Sequence, residues 1–357
     1  MIQRNLPANE GWVGSTVPAT STAPDAVTFR PTHSIDATSD ERTGVSMTCP
    51  CCGSAHSRYW MKVPDRVSEG DVSFDLVRCS SCKHIWISNP PTASQLSRYY
   101  GPEYHNAVGR TGETTPWRWQ RALRAISKYK TDGSLLDIGC SSGGFLSYLK
   151  PSGWKLYGIE PDQPTAARAH SISGGEITVC GVDDATFPPE SFDVITCSDV
   201  LEHLPDPRAV FQKVALWLKP TGIFYVFVPN IGSWESRMFG SHWYGLDIPR
   251  HLHHFSFDSL KSVASLANLS PTQILTPPGC YLEQSCSVLL NDLSHAHNGN
   301  HNHIDLSGDL GVSWKILRKV VRLTIETPYA HLASGLSGSP SIQAIFSKSA
   351  ATSASIK

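Results

Sequence analysis

The feature that most limits the fold is an alternation of strand-like and helix-like segments that begins near Ser134. Such alternation is typical of a doubly wound sheet whose strands run mostly parallel, with helices packed against both faces. We therefore predict an α/β domain with a Rossmann-like sheet of seven strands. The expected strands are 135–138, 155–159, 176–179, 194–197, 223–228, 272–275 and 342–346, and the expected helices are 145–150, 165–170, 207–218 and 258–266.

The length of the chain indicates more than one folding unit. It has 357 residues, whereas single cores stop growing at about 250 to 300 residues. Residues 1–46 are rich in Thr, Ser, Ala and Pro and show no apolar periodicity, so we expect a disordered arm there. We expect a small cysteine-containing module at 47–90, a helical connector at 91–132 and the main domain at 133–350, with an insertion at about 280–340.

Charge and composition exclude several classes of protein. The net charge is −1, so the chain has no overall basic field for nucleic acid. Ten cysteines in 357 residues fall well below the roughly 8–10% that is typical of a disulfide scaffold. No apolar stretch approaches the about 18 residues of a membrane span, and Met1 is followed by polar residues. We expect a cytoplasmic protein with reduced thiols and no transmembrane segment.

A glycine-rich turn follows the first predicted strand. Small residues between Gly139 and Gly144 separate this strand from the next helix, so a ligand can approach the backbone closely. A dinucleotide fingerprint needs glycine where Ser141 stands, which argues against NAD. Asp137 ends the strand, and a carboxylate there can pair with a cationic amino group. The alternative is a tight turn that binds no ligand.

The next three predicted strands also end in side chains suited to a ligand. Glu160 lies about twenty residues after the loop, where a carboxylate can accept hydrogen bonds from both hydroxyls of a ribose. Asp183 and Asp184 follow the third strand, where an acid can accept from an adenine amino group. The fourth strand leads to Ser198. Since ligands of open α/β sheets bind at the carboxyl ends of the strands, these positions predict one shared site.

Together these motifs resemble the class I S-adenosylmethionine-dependent methyltransferases, from Ser134 to about Leu275. The resemblance implies their fold, their activity and S-adenosylmethionine as cofactor. The segment Cys140-Ser141-Ser142 departs from the family, where a further glycine is common. The cofactor-binding residues that the resemblance implies are Asp137, Gly139, Cys140 and Gly143 for the methionine part, Glu160 for the ribose, Asp183 and Asp184 for the adenine, and Ser198 near the sulfonium.

A histidine-rich segment, Pro-Arg-His-Leu-His-His-Phe-Ser from Pro249, resembles one found in a branch of these enzymes that acts on small metabolites, lipids or sugars. Methyl transfer needs alignment and, for oxygen or carbon acceptors, removal of a proton. Histidine titrates in the useful range, although clustered histidines also serve as caps and packing groups. The candidates for acceptor binding are Trp243, Tyr244, His251, His253 and His254, and those selected as catalytic are His203, His251, His254 and Tyr244.

Asp199, Glu202 and His203 have the spacing i, i+3, i+4, and we expect them on one face at the start of a helix. The trio resembles the acid-acid-histidine set that some quinone-pathway O-methyltransferases use for a divalent cation, and such ligands suit Mg²⁺ or Mn²⁺. The alternative is capping, because acids favour the first turn of a helix. His203 is also a candidate general base or acceptor contact.

Two Cys-x-x-Cys pairs predict a structural zinc site in the module at 47–90. Each pair directs two thiolates at one tetrahedral ion, and a closed set of four sulfurs leaves no open position for catalysis. Cys51 is an additional thiol that could replace a neighbour. Among methyltransferases, such a ribbon resembles those of sugar C-methyltransferases and of one rRNA-modifying group. The predicted zinc ligands are Cys49, Cys52, Cys79 and Cys82.

The predicted function is methyl transfer from S-adenosylmethionine to a small-molecule acceptor such as a sugar, a lipid-linked compound or another metabolite. The alternatives are RNA or protein methylation with the ribbon as docking module, and a non-catalytic cofactor-binding scaffold. Two weaker patterns remain. The His/Asn-rich run from His295 to His303 favours a solvated loop over a metal site. The basic amphipathic segment 314–323 could contact an anionic membrane, cap the acceptor pocket or simply pack.

Overall fold

The computed structural model describes residues 39–40, 45–46, 48–66, 72–100, 116–298 and 320–349. Of the predicted arm, it describes only β1 (Ser39–Asp40) and β2 (Val45–Ser46), which pair antiparallel. The run from His301 to His303 and most of the basic segment 314–323 lie outside the described residues.

The main element is a seven-stranded sheet with the spatial order β12-β13-β10-β9-β6-β7-β8. Five neighbouring strands, from β10 to β8 in that order, run parallel, and the last strand of the chain, β13, inserts antiparallel between β10 and β12. The prediction of a mostly parallel seven-stranded sheet is therefore confirmed. The strands are β6 (Ser134–Ile138), β7 (Lys155–Ile159), β8 (Glu176–Thr178), β9 (Phe192–Ser198), β10 (Leu218–Pro229), β12 (Leu269–Leu275) and β13 (Ser341–Lys348).

Helices connect these strands and cover the sheet. Prolines and acidic caps begin several of them, as where the Asp206 carboxylate accepts hydrogen bonds from the backbone of Arg208 and Ala209. The helices are α1 (Ala93–Leu96), α2 (Pro116–Ile126), α3 (Gly144–Leu149), α4 (Gln163–Ser173), α5 (Pro207–Trp217), α6 (Trp234–Phe239), α7 (Phe257–Leu266), α8 (Leu282–Asn298) and α9 (Thr327–Gly335). Short 3₁₀ turns span Ser97–Tyr100, Lys150–Ser152, Leu201–His203, Gly240–His242 and Tyr244–Leu246, and a π-helical turn spans Arg322–Glu326.

The core lies on both faces of the sheet. Along β6, Leu135 packs into one apolar cluster and Leu136 into the other, because successive side chains of a strand point to opposite faces. Each is paired in register with a residue of β9 that faces the same way, Val194 and Ile195 respectively. This two-sided burial explains why the central strands read as continuous apolar runs rather than as alternating ones.

A second sheet of four strands, in the order β11-β5-β4-β3, contains the cysteine module. Its strands are β3 (Ser57–Pro64), β4 (Ser73–Cys79), β5 (Ile85–Ile87) and β11 (His253–His254). The first three form the predicted module, but β11 comes from the histidine-rich segment of the main domain and pairs with Trp86 and Ile85. The cysteine module and the histidine segment therefore share one hydrogen-bonded sheet.

One predicted element is wrong and others differ in length. Asp199, Glu202 and His203 do not begin a helix: Asp199 has a left-handed backbone with φ of 53°, and the other two lie in a 3₁₀ turn before α5. The extended backbone of Leu204 and a new cap at Asp206 separate that turn from α5. Among the residues that the structure describes, no helix has the length and apolar character needed to cross a bilayer.

Candidate functional site

The glycine loop forms a compact turn at the carboxyl end of β6. Gly139 and Gly143 both have left-handed backbones, with φ of 70° and 77°. A Cβ atom on Gly139 would come within 2.5 Å of the Val200 side chain, so the position requires glycine for conformation and for space. Glu160, at the end of β7, accepts hydrogen bonds from the backbone of Ser141 and Asp162 at 3.0 and 3.1 Å. The glycine loop is therefore in direct contact with Glu160, the residue that is predicted to bind the ribose.

Asp137 is buried at the end of β6. Its Oδ1 accepts a 2.6 Å hydrogen bond from the Thr196 hydroxyl of the neighbouring strand β9. Burial raises the pKa of this carboxyl to about 7, although the Thr196 hydrogen bond acts to lower it. A cation brought against Asp137 would stabilise the ionised form, as expected of an acid that meets an amino group.

The remaining predicted cofactor residues lie at the same edge of the sheet. Cys140 is buried, and its sulfur fills the space beside Gly158 on β7. Asp183 and Asp184 are exposed in the turn that follows β8. Ser198 ends β9 and pairs in register with Phe227 of β10. The structure brings all the predicted residues to the carboxyl ends of four consecutive strands.

A cavity of about 40 Å³ lies beside this edge. A water molecule needs roughly 10–15 Å³ of such space, so the cavity has room for a small polar group. Two tyrosine rings, Tyr244 and Tyr281, meet edge to face at 5.5 Å beside it. The lining residues are Asp199, Glu202, Pro229, Tyr244, Gly245, Asp247, His251 and Tyr281.

His251 is the histidine that lines this cavity. Its Nδ1 lies 3.0 Å from the carbonyl oxygen of Gly245, which can only accept, so Nδ1 carries the proton and Nε2 has the lone pair. Nε2 lies 3.9 Å from Glu202 and 3.8 Å from Asp247. Burial and the neighbouring His203 lower the pKa of His251 well below its usual range, against the opposing effect of Asp247. The imidazole is therefore neutral at neutral pH, with two carboxylates near its basic nitrogen.

A possible cation group differs from the predicted one. Glu202, His203 and His251 have ligand atoms within 4.8 Å of one another, whereas Asp199 forms an ion pair with Arg118 of α2. The sequence left open whether Asp199, Glu202 and His203 bind a cation. In the structure Asp199 lies outside this group and His251 lies within it. One carboxylate and two imidazoles are suitable ligands for a divalent transition metal.

His253 and His254 are directed away from the cavity. In β11, His253 donates from Nε2 to the carbonyl oxygen of Pro205 at 3.2 Å and contacts His84 of the cysteine module at 3.1 Å. His254 donates from Nε2 to the carbonyl oxygen of Leu246 at 3.0 Å. Burial lowers the pKa of both to about 4. These contacts favour a structural role for His254, one of the predicted catalytic residues. Trp243, a predicted acceptor-binding residue, is buried in the apolar cluster beneath the second sheet.

The four predicted zinc ligands converge at one point. The Sγ atoms of Cys49 and Cys82 are 3.5 Å apart, those of Cys52 and Cys79 are 3.6 Å apart, and all four lie within 4.8 Å of one another. Zinc–sulfur bonds of about 2.3 Å in a tetrahedron place the sulfurs about 3.8 Å apart, so the cluster fits a zinc ion. The fifth thiol, that of Cys51, is buried but lies outside this group.

Comparison with known proteins places this geometry in a family. The profile of a family described as "Methyltransferase domain" matches residues 113–274. A ubiquinone biosynthesis O-methyltransferase from Bordetella bronchiseptica is 31% identical over 196 residues, which cover 51% of this chain and 77% of that protein. The chain belongs to the class I S-adenosylmethionine-dependent methyltransferases.

Other relatives are matched over a smaller share of their length. A ubiquinone biosynthesis O-methyltransferase from Xanthomonas euvesicatoria is 31% identical over 129 residues, 34% of this chain and 54% of that protein. A ubiquinone biosynthesis O-methyltransferase from Xanthomonas campestris is 30% identical over 154 residues, which cover 38% of this chain and 64% of that protein. The solved structure of geranyl diphosphate C-methyltransferase from Streptomyces coelicolor is 14% identical, covers 73% of this chain and 86% of that one, and has a TM-score of 0.43.

S-adenosylmethionine fits the groups that the chain presents at this edge of the sheet. Asp137 offers a buried carboxyl for an amino group, and Glu160 offers a carboxylate held by backbone donors for a ribose diol. The donor set therefore matches the chemistry of the cofactor.

Sequence reasoning missed several residues in and around the cavity. Asp247 and Arg250 form a 2.8 Å ion pair beneath it, and Tyr281 comes from the segment before α8. Arg118 and Arg121 of α2 both lie over the Phe227 ring, at 5.2 and 5.1 Å. The spacing of Asp247 four residues before His251 is a signal in the sequence that could have identified this acid. The contribution of α2 depends on long-range packing, which no local pattern reveals.

Proposed function

We propose that this chain is an S-adenosylmethionine-dependent methyltransferase that acts on a small-molecule acceptor, whose reacting group enters the cavity beside His251. The observation that carries the proposal is the neutral histidine with its basic nitrogen near Glu202 and Asp247, next to the strand ends that hold the cofactor groups. Base and cofactor site thus lie at the same edge of the sheet.

The acceptor atom that we propose is an oxygen. Relatives named ubiquinone biosynthesis O-methyltransferases support this assignment, since their name states transfer to oxygen. A hydroxyl must lose its proton as the new bond forms, and a neutral imidazole is a suitable acceptor for that proton. Tyr244 and Tyr281 provide aromatic faces that can position a ring or a polyhydroxylated acceptor.

The protein's own residues would act in two ways. S-adenosylmethionine, when bound, supplies an electrophilic methyl group on its sulfonium. Asp137 and Glu160 would orient the two ends of the cofactor. His251 Nε2 would take the hydroxyl proton as the acceptor oxygen bonds in line to the methyl carbon, while the carbon–sulfur bond breaks and the neutral thioether S-adenosylhomocysteine leaves. Glu202 and Asp247 then stabilise the imidazolium, because each carboxylate lies within 4 Å of Nε2. The Gly245 carbonyl keeps the tautomer that leaves Nε2 available.

The closed cysteine cluster supports a structural zinc rather than a catalytic one. Four thiolates would complete the tetrahedron of the ion. Binding of the metal would stabilise the fold of the module at 48–66 and 72–88.

The first experiment is calorimetric titration of the purified chain with S-adenosylmethionine, with NAD as the control ligand. Micromolar binding of the first and none of the second is the expected result. The chain is then incubated with methyl-labelled cofactor and separate fractions of small metabolites, RNA and protein. Label in the metabolite fraction supports the proposal.

The other outcomes distinguish the alternatives. Label in RNA or protein would replace the proposed acceptor class with a macromolecule docked on the ribbon. Cofactor binding without label in any fraction would favour a scaffold that senses the cofactor. No binding of S-adenosylmethionine would overturn the proposal.

A further inference from the structure

A buried arginine connects the cysteine module to the acceptor cavity. Arg250 is only 1% exposed. Its Nη2 lies 3.3 Å from Asp65, which directly follows β3 of the cysteine module, and its Nε lies 2.8 Å from Asp247 of the cavity wall. Asp65 is also buried, with a side chain 2% exposed. The two acids therefore share one buried guanidinium.

Asp247 connects the Arg250 ion pair to His251, the proposed base. Its carboxylate lies 3.8 Å from His251 Nε2, and its carbonyl oxygen accepts a 2.9 Å hydrogen bond from the backbone of His251. Asp247 has a left-handed backbone with φ of 39°, a conformation that costs energy in a residue with a side chain. The ion pair between Arg250 and the Asp247 carboxylate helps to hold that conformation.

The surrounding backbone is tied to the same module. Ile87 of β5 donates to the carbonyl oxygen of Leu252 at 3.1 Å, and Leu252 donates to the carbonyl oxygen of Glu202 at 2.8 Å. The backbone of β11 continues the pairing with β5. The cavity segments that carry Glu202 and His251 thus rest on the edge of the cysteine module's sheet.

We propose that Asp65 is a positioning residue for the acceptor site, which holds Arg250 and through it Asp247 and His251. The inference rests on the proposed function for the meaning of the cavity, but its structural content can be measured without an acceptor. It assigns the cysteine module a second role besides metal binding, because the module supplies the acid beneath the cavity. The cysteine module then helps to position the residues of the acceptor site.

The test is hydrogen exchange measured by mass spectrometry on the full chain carrying Asp65→Asn. This change keeps the shape of the side chain and removes its charge. Arg250 keeps its ion pair with Asp247 but loses the charged partner that ties it to the cysteine module. Because the segment then loses one of its attachments, we expect exchange at 244–252 to rise by about tenfold or more. Exchange in the central strand β6 should stay at the wild-type rate, and the affinity for S-adenosylmethionine should change less than about twofold.

Arg66→Gln is the matched control. Arg66 is the neighbour of Asp65 and also pairs across to the main domain, with Asp292 at 2.8 Å, but this pair is partly exposed and does not reach the cavity. The control should leave exchange at 244–252 and cofactor binding unchanged. Asp65→Glu, which retains the charge, should restore part of the protection that Asp65→Asn loses.

A second variant keeps the test decisive if Asp65→Asn does not fold. Asp65→Ser retains a hydroxyl at this position and leaves the Arg250–Asp247 ion pair in place, so the chain should fold while the segment 244–252 exchanges faster than in the wild type. Wild-type exchange at 244–252 in a folded variant would overturn the inference, and so would an equal rise in β6. Failure of the wild type to bind S-adenosylmethionine would instead overturn the proposed function and leave this result intact.

Discussion

The Thr196 hydroxyl donates a 2.6 Å hydrogen bond to Oδ1 of Asp137 between the two central strands β9 and β6. The contact fixes the acid at the floor of the cofactor site, but it does not offset the cost of burying a charge. The pKa of Asp137 is therefore raised to about 7 by burial. At neutral pH a large share of the ligand-free protein has this carboxyl protonated.

We predict that cofactor binding strengthens as the pH rises towards neutrality. Binding of an ammonium group needs the ionised form of Asp137, whose fraction increases about fivefold from pH 6 to pH 7 when the pKa is about 7. The dissociation constant for S-adenosylmethionine should fall by a similar factor, and proton release should appear as heats that depend on the buffer. In Asp137→Asn this pH dependence should be lost, and its persistence would assign the titration to another group.

Glu160→Ala should weaken cofactor binding by about 2 kcal/mol, which is roughly thirtyfold in the dissociation constant, because charged hydrogen bonds to the ribose are removed. The Ser141 and Asp162 backbone donors also lose their acceptor. Calorimetric titration measures the change. Glu176→Ala, which removes an exposed glutamate at the start of β8, is the control and should bind normally. Equal affinities in both variants would contradict the assignment of Glu160.

His251→Ala should reduce methyl transfer by about 10²- to 10⁴-fold, the usual contribution of a general base. The affinity for S-adenosylmethionine should stay unchanged, since His251 contacts the acceptor cavity and not the glycine loop. Because burial holds the pKa of His251 below its ordinary range, activity that depends on it should persist below pH 6.5 in the wild type. His56→Ala, at an exposed histidine, is the control. Full activity of His251→Ala would mean that another group takes the proton.

Cys82→Ser should remove the metal from the cysteine module. We expect about one zinc per chain in the wild type and none in the variant, by elemental mass spectrometry, together with a lower melting temperature. Cys286→Ser, at an exposed cysteine remote from the cluster in sequence, should retain the metal. A metal content that is the same in both variants would exclude Cys82 as a ligand.

The strands of the main sheet were predictable because their physical signal is local. Burial on both faces makes β6, β7 and β9 read as short apolar runs, and the acids at their ends mark the ligand edge. In the second sheet, β3 was not predicted. Except for the buried Val63, its residues are exposed or half-buried without a regular alternation, and Arg58 and Lys62 make the segment read as a loop. Pairing with β4 stabilises it, and that pairing is not visible in β3 alone.

The candidate site was predictable where one segment provides the chemistry and was missed where distant segments combine. The glycine loop with Asp137 and Glu160 follows from spacing along the chain. The cavity is different, because His251 acts beside Glu202 and above an arginine whose second partner, Asp65, lies 185 residues away. The roles of neighbouring histidines also separate only in three dimensions, where His253 turns to the cysteine module and His251 to the cavity.

The late arrival of β11 has a consequence for synthesis on the ribosome. His84 and His253, which contact each other in the finished sheet, are 169 residues apart in the chain. At about 5 to 20 residues per second, the hairpin of β4 and β5 leaves the ribosome on the order of 10 to 30 s before its last strand. During that interval β5 is an open edge, the kind of surface that pairs with other chains. Until residues 253–254 emerge, the β5 edge of one nascent chain can therefore pair with another nascent chain that is translated from the same messenger RNA.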